Sequence, residues 1–141
     1  MKILALDSSG LVASVAVVEN DTLLAEYTVN YKKTHSQTLL PMLDEISNMT
    51  ELDLSTIDAI AVAGGPGSFT GLRIGSATAK GLGLALEKPL ISIPTTAAIA
   101  YNIWDTDNLS ARSWMREETR SIPEFTATRI IVSIRSGNRI R

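Results

Sequence analysis

Gly64-Gly65-Pro66-Gly67-Ser68-Phe69-Thr70-Gly71-Leu72-Arg73 follows the apolar run from Ile57 to Ala63 and opens a long stretch of helix-compatible small residues. A glycine-rich turn from a strand into a helix lets another backbone or an anion come close. Glycine has no side chain to block the approach, and the helix N-terminus offers free N–H groups. Within the helix that follows, Gly71, Gly75, Ala79 and Gly83 recur every fourth residue and so form one smooth stripe. Glycine inside a helix costs roughly 1 kcal/mol against alanine, so Gly75, Gly81 and Gly83 together cost about 3 kcal/mol. A second helix packed very close to the stripe, in this chain or another, is the expected compensation.

Outward from this turn, the first 104 residues read as α/β. Ile3 to Leu6 is a short strand of buried type, and Val12 to Val18 is a second, rich in valine and alanine. Glu19-Asn20-Asp21 is a turn, and Thr22 to Val29 alternates as a third strand, giving an antiparallel meander. Thr34 followed by Gln37 resembles a capping box, after which Leu39, Leu40, Met42, Leu43 and Ile46 share a helical face. Pro41 inside that helix predicts a kink or a loose first turn. Ile57 to Ala63 is a buried strand, and the glycine-striped helix runs from about Thr70 to Glu87, where Pro89 stops it. Leu90 to Ile93 is a fifth strand, and Thr95 to Trp104 a third helix. The crossover helix makes strands four and five parallel. The order β-β-β-α-β-α-β-α on a mixed five-stranded sheet is that of an actin-like (ribonuclease-H-like) lobe.

Composition narrows the function classes. With 45% hydrophobic and 20% charged residues and a net charge of −2 over 141 residues, the chain is an ordinary globular domain, with no bulk charge favouring nucleic acid. It has no cysteine, which excludes disulfides and cysteine metal sites. The apolar start is interrupted at Asp7, too early for a signal peptide, and no uncharged run is long enough to span a membrane, so a cytoplasmic location is expected. Charge divides the chain. Residues 1–104 carry six Lys/Arg and ten Asp/Glu, whereas residues 105–141 carry seven Arg and five Asp/Glu with weak periodicity. The first part reads as one lobe and the second as an atypical tail.

Four features could carry chemistry. Asp7-Ser8-Ser9-Gly10 joins the first two strands. In an actin-like lobe this turn holds ATP phosphates or a metal, with Asp7 on Mg²⁺ and the hydroxyls of Ser8 and Ser9 on phosphate oxygens. The alternative is a polar β-turn in which Asp7 and Ser8 satisfy backbone N–H groups. His35 is the only histidine; it lacks a second histidine or cysteine for a metal site and a paired nucleophile for base catalysis. Arg73 and Lys80 lie seven apart on one helical face, where they bind an anion or a partner carboxylate, or form a solvated edge. The glycine-rich turn is not a P-loop, because no Gly-Lys-Ser/Thr follows it.

Ile3-Leu4-Ala5-Leu6-Asp7-Ser8-Ser9, His35-Ser36 leading into Leu39-Leu40-Pro41-Met42, Asp58-Ala59-Ile60-Ala61-Val62, and the run from Gly65 to Gly75 together resemble the bacterial TsaB (YeaZ) family over about the first 104 residues. The resemblance implies an actin-like fold and a part in making threonylcarbamoyladenosine in tRNA. It implies no catalytic residues. The family's catalytic paralogue, TsaD, holds a metal with a His-x-x-x-His pair on its first helix, and here the second position is His35 while the first is Tyr31. The implied role is a partner subunit docked to the TsaD-type paralogue through its first two helices. That places the interface on Leu39, Met42, Leu43 and Ile46, and on Gly71, Gly75, Thr78, Ala79 and Gly83. The ATPase TsaE and a homodimer are further partners on this reading. No cofactor is required, with ATP at Asp7, Ser8 and Ser9 left open. The alternatives are an actin-like ATPase or sugar-kinase lobe, and a glycoprotease-like metallopeptidase.

The family continues into a second lobe, and this chain departs from it after Trp104. Codons compatible with Ala111 to Thr126, read one base earlier, give Pro-Ile-Met-Asp-Ala-Arg-Arg-Asn-Gln-Val-Tyr-Thr-Gly-Ile-Tyr, which resembles the opening of that lobe. A frameshifted tail is therefore expected, and the DNA sequence of the gene tests it.

Overall fold

β1 (Lys2–Asp7) lies at the centre of a five-stranded sheet. The order is β3 (Thr22–Val29), β2 (Ala13–Glu19), β1, β4 (Ala59–Gly65), β5 (Leu90–Pro94). The computed structural model describes residues 1–20, 22–30 and 38–100. β1 pairs antiparallel with β2, and β2 with β3; β1 pairs parallel with β4, and β4 with β5. This is the mixed sheet of an actin-like lobe. β1, β2 and β4 are buried along almost their whole length. Strands covered on both faces read as near-continuous apolar runs, and theirs do.

Alternation assigns each strand residue to one of two cores. On one face Leu4, Leu6, Val15, Val17, Ile60 and Val62 pack against α1 (Leu39–Thr50) and α2 (Phe69–Leu86). On the other, Ile3, Ala5, Ala16, Ala61 and Ile93 meet Ala98 and Ile99 of α3 (Thr95–Ala100). Burying side chains such as Leu4, Leu6 and Ile60 contributes about 1.5–3 kcal/mol each.

Of the boundaries that differ from the sequence reading, three bear on the helix α1, on β4 and on the turn after β1. α1 begins at Leu39 with Thr38 at its N-cap, and its first helical bond runs from the Met42 N–H to the Thr38 carbonyl at 3.0 Å. Pro41 therefore sits in the first turn, where its missing N–H interrupts no intrahelical bond, so the expected kink has no cause. β4 starts at Ala59 rather than Ile57, because Asp53 accepts from the Ser55 N–H at 2.9 Å and nucleates a 3₁₀ turn at Leu54–Thr56. Ile57 nevertheless remains fully buried. Third, β1 runs one residue further than read, to Asp7, while β2 starts one residue later, at Ala13. The readings placed on Tyr31, Thr34, His35, Ser36, Gln37 and the tail lie outside the described residues. Among the described residues, no helix is long and apolar enough to cross a membrane.

Candidate functional site

The turn after β1 and the N-terminus of α2 form a single interlocked unit. Asp7 ends β1, and its Oδ1 accepts the Ser9 N–H at 2.7 Å. Ser8 Oγ donates to the Gly71 carbonyl at 2.9 Å in a buried bond. Ser68 closes the loop from the other side: its N–H donates to the Ser9 carbonyl at 2.7 Å, and its Oγ accepts the Gly71 N–H at 3.2 Å as the cap of α2. Helix N-termini need such acceptors for their unpaired N–H groups. Gly65 bends the chain into this loop at φ 100°, a conformation that favours glycine.

This geometry shows what the glycine stripe packs against within the lobe. Gly71, Gly75, Ala79 and Gly83 are all buried: a Cβ at each of the three glycines would meet Ser8 or Leu90, while Ala79 shares a core with the α1 side chains. A Cβ at Gly71 would lie 2.0 Å from the Ser8 carbonyl oxygen, and one at Gly75 would lie 2.5 Å from Ser8 Oγ. At Gly83 the obstacle is Leu90 Cδ2 at 2.8 Å. Gly67 is equally constrained, 2.6 Å from the Ser9 carbonyl oxygen. Gly71 and Gly75 let α2 lie directly on the β1 turn, and Gly83 makes room for Leu90. Only Gly81, exposed and with nothing within 4 Å of its Cβ position, serves no such contact.

The apolar face of α1 has a similar fate. Leu39, Met42, Leu43 and Ile46 are buried in the same core as β1 and β2. Together with Gly71, Gly75, Ala79 and Gly83, they lie in the lobe's interior; Thr78 is half-buried. The exposed large apolar side chains of the two helices are Leu40 and Met49 on α1 and Phe69 and Leu84 on α2, which are 52%, 77%, 74% and 84% exposed; nine residues apart, Leu40 and Met49 flank the buried face of α1 on opposite sides. Sequence reading grouped Leu40 with the buried face of α1 and passed over Met49, Phe69 and Leu84, because a period of 3.6 marks the buried face first.

Asp7 is fully buried, and its Oδ2 has no hydrogen-bond partner among the described residues. Burial pushes its carboxyl up to about 7, against the opposing pull of hydrogen bonds from Ser9. The turn therefore matches the polar-turn alternative at Asp7 Oδ1, while Ser8 Oγ is committed to Gly71. Among the described residues, no three His, Cys, Asp or Glu side chains cluster as a metal site.

Comparisons with known proteins agree with this architecture. The family model for TsaD, tRNA N6-adenosine threonylcarbamoyltransferase, matches residues 22–111. The chain is 38% identical over 104 residues to the tRNA threonylcarbamoyladenosine biosynthesis protein TsaB of Escherichia coli (strain K12), covering 74% of this chain and 45% of that protein. The structure of YeaZ from Pseudomonas aeruginosa matches with a TM-score of 0.67 at 35% identity, over 73% of this chain and 47% of that one. Thermus thermophilus RuvC matches with a TM-score of 0.57 at 11% identity over 97% of each chain, a likeness of fold alone. The chain spans less than half the length of the TsaB and YeaZ proteins it matches. Matching the TsaD family model over more than half its length, and TsaB and YeaZ in both sequence and fold, the chain belongs to the TsaB (YeaZ) family.

Proposed function

We propose that this lobe acts in the threonylcarbamoyladenosine modification of tRNA as a partner subunit, not as the catalyst. On this reading it docks to a TsaD-type transferase through the outward sides of α1 and α2, and residues 1–104 are the unit that does so. The observation that carries the docking is the exposure of Leu40, Met49, Phe69 and Leu84 on two helices that lie together on one face of the sheet. The non-catalytic part rests on Tyr31, which stands where the family's catalytic paralogue has the first histidine of its metal pair.

The test is a pull-down of the full chain with the TsaD-type transferase of the same organism. Met49→Asp and Leu84→Asp should each abolish or greatly weaken capture while leaving the thermal unfolding temperature unchanged, because both side chains are exposed. Failure of the folded, unsubstituted chain to bind overturns the reading. Self-association that the same substitutions disrupt would assign these helices to a homodimer instead. Gly75→Leu is not a usable probe, since its side chain would enter the space of Ser8.

A second reading, a nucleotide-binding lobe, keeps one observation in its favour: Asp7 Oδ2, buried and unpartnered at the end of the central strand. ATP binding that is lost in Asp7→Ala would support it, and absence of ATP binding would remove it.

A further inference from the structure

We propose that the groove between α2 and the edge strand β5 binds a small organic anion, its charged head held by Arg73 and Lys80. The groove has a volume of about 640 Å³, inside the range of roughly 300–1,000 Å³ typical of small-molecule sites. Arg73, Ser76 and Lys80 are spaced i, i+3 and i+7, so they form one ridge along α2 on the side facing β5. Opposite them stand Leu90 and Ser92 of β5. Val62 and Leu72 complete an apolar floor.

The electrostatics of the groove are one-sided. Its lining contains two cations and no carboxylate. Neither Arg73 nor Lys80 forms an ion pair with another described residue. Unpaired like charges on a concave wall focus a positive potential into the space between them. The two positions are about 10 Å apart along the helix axis, so flexible side chains from both ends can converge on one anion within the groove. Arg73 is already oriented for this: its guanidinium lies 5.2 Å from the centroid of the Phe69 ring, which limits the freedom lost on binding.

The hydroxyls complete the polar set. Ser92 Oγ lies 2.3 Å from the position a Cβ would take at Gly64, so the glycine at the end of β4 is what leaves room for this hydroxyl beside the groove. Ser76, on the helix, lies between the two cations. The arrangement is that of a binding site with a charged recognition edge and an apolar bed, and it suits a ligand with an anionic head and an apolar or aromatic body. The groove shares Phe69 with the docking surface proposed above, but its test needs no partner.

Phenyl phosphate is the probe, titrated into the ¹⁵N-labelled full chain and followed by amide shifts. Saturable shifts centred on Val62, Ser76 and Ser92 are expected. Arg73→Gln and Lys80→Gln should each weaken binding about tenfold or more, the loss of one charge-assisted hydrogen bond. Both positions are exposed, so the variants keep the fold, and thermal unfolding verifies this. Phenylacetate distinguishes the head group: tighter binding assigns a carboxylate, much weaker binding a phosphate, and equal binding a site that reads negative charge alone. No saturation into the tens of millimolar overturns the proposal. So does unchanged affinity in both variants, or phenol binding as tightly as phenyl phosphate.

Discussion

Ser8 Oγ occupies the space that a side chain at Gly75 would need, 2.5 Å from the Cβ position, while it donates to the Gly71 carbonyl one helical turn earlier. One hydroxyl therefore fixes the separation between the central strand and α2, and two glycines are the complement of that hydroxyl. The cost of glycine in a helix is offset here by the burial of α2 against the β1 turn.

A graded series of alanine substitutions follows from these distances. Gly71→Ala meets a backbone carbonyl that no rotamer change can move, and should destabilise by about 3 kcal/mol or more. Gly75→Ala meets only a hydroxyl that can rotate at the loss of its hydrogen bond, and should cost about 1–3 kcal/mol. Gly81→Ala meets nothing and should stabilise by roughly 0.5–1 kcal/mol. Ser8→Ala removes the obstructing oxygen. The nearest atoms to a Cβ at residue 75 are then Val62 Cγ2 at 3.6 Å and the residue 8 Cβ at 3.8 Å, which are ordinary contacts. The Ser8→Ala/Gly75→Ala double variant should therefore be more stable than the sum of its singles predicts, by about 1 kcal/mol. Urea unfolding of the four variants and the double measures this, and strict additivity would refute the steric account.

Asp7 makes stability depend on pH in an unusual direction for a carboxylate. Its folded value of about 7 stands above the ordinary 3.8 because burial disfavours the anion. The native state thus holds a proton that the unfolded chain has released between these two values. Stability from this group is fully present below pH 4, falls as pH rises towards 7, and is lost above it. The whole change is about 4 kcal/mol, at 1.36 kcal/mol per pH unit. Asp7→Asn imitates the protonated form and keeps an oxygen for the Ser9 N–H. It should be more stable than the parent at pH 8 and about equal to it at pH 4, with the difference opening between. Thermal unfolding of both proteins across that range decides it; parallel curves would show that Asp7 is not the group responsible.

The sheet was legible because its strands obey local rules. Thr22 to Val29 emerged as β3 with its observed limits, since the polar turn at Glu19 and Asn20 and the alternation that follows need no tertiary knowledge. The close approach encoded by Gly71, Gly75 and Gly83 was also legible, but not its partner. Spacing along a helix reveals that something comes near. It does not reveal that the neighbour is Ser8, 63 residues from Gly71. The start of α1 at Leu39 is marked in the sequence by Pro41, which suits a first helical turn. Asp7 carried both readings in sequence; its burial, set by strands on either side, is what selects the hydrogen bond to Ser9.

The two sides of α1 should separate stability from binding. Leu43 is 3% exposed and packs with the strands of the central sheet, so Leu43→Ala should destabilise by about 2–5 kcal/mol through lost burial and the cavity left behind. Leu40, nearly one turn earlier and at the edge of the same helical face, is 52% exposed, and Leu40→Ala should change stability by about 1 kcal/mol or less. If α1 is also a docking element, the order reverses in a binding assay at a temperature where both variants are folded. Leu40→Ala should then weaken capture of the transferase, while Leu43→Ala, whose side chain no partner touches, should leave it close to the parent. Denaturant unfolding and the pull-down, run on the same two proteins, read the two effects independently. Loss of binding in Leu43→Ala alone, with Leu40→Ala unaffected, would mean that the partner recognises the folded core of α1 through its backbone placement and not through its outer apolar side chains.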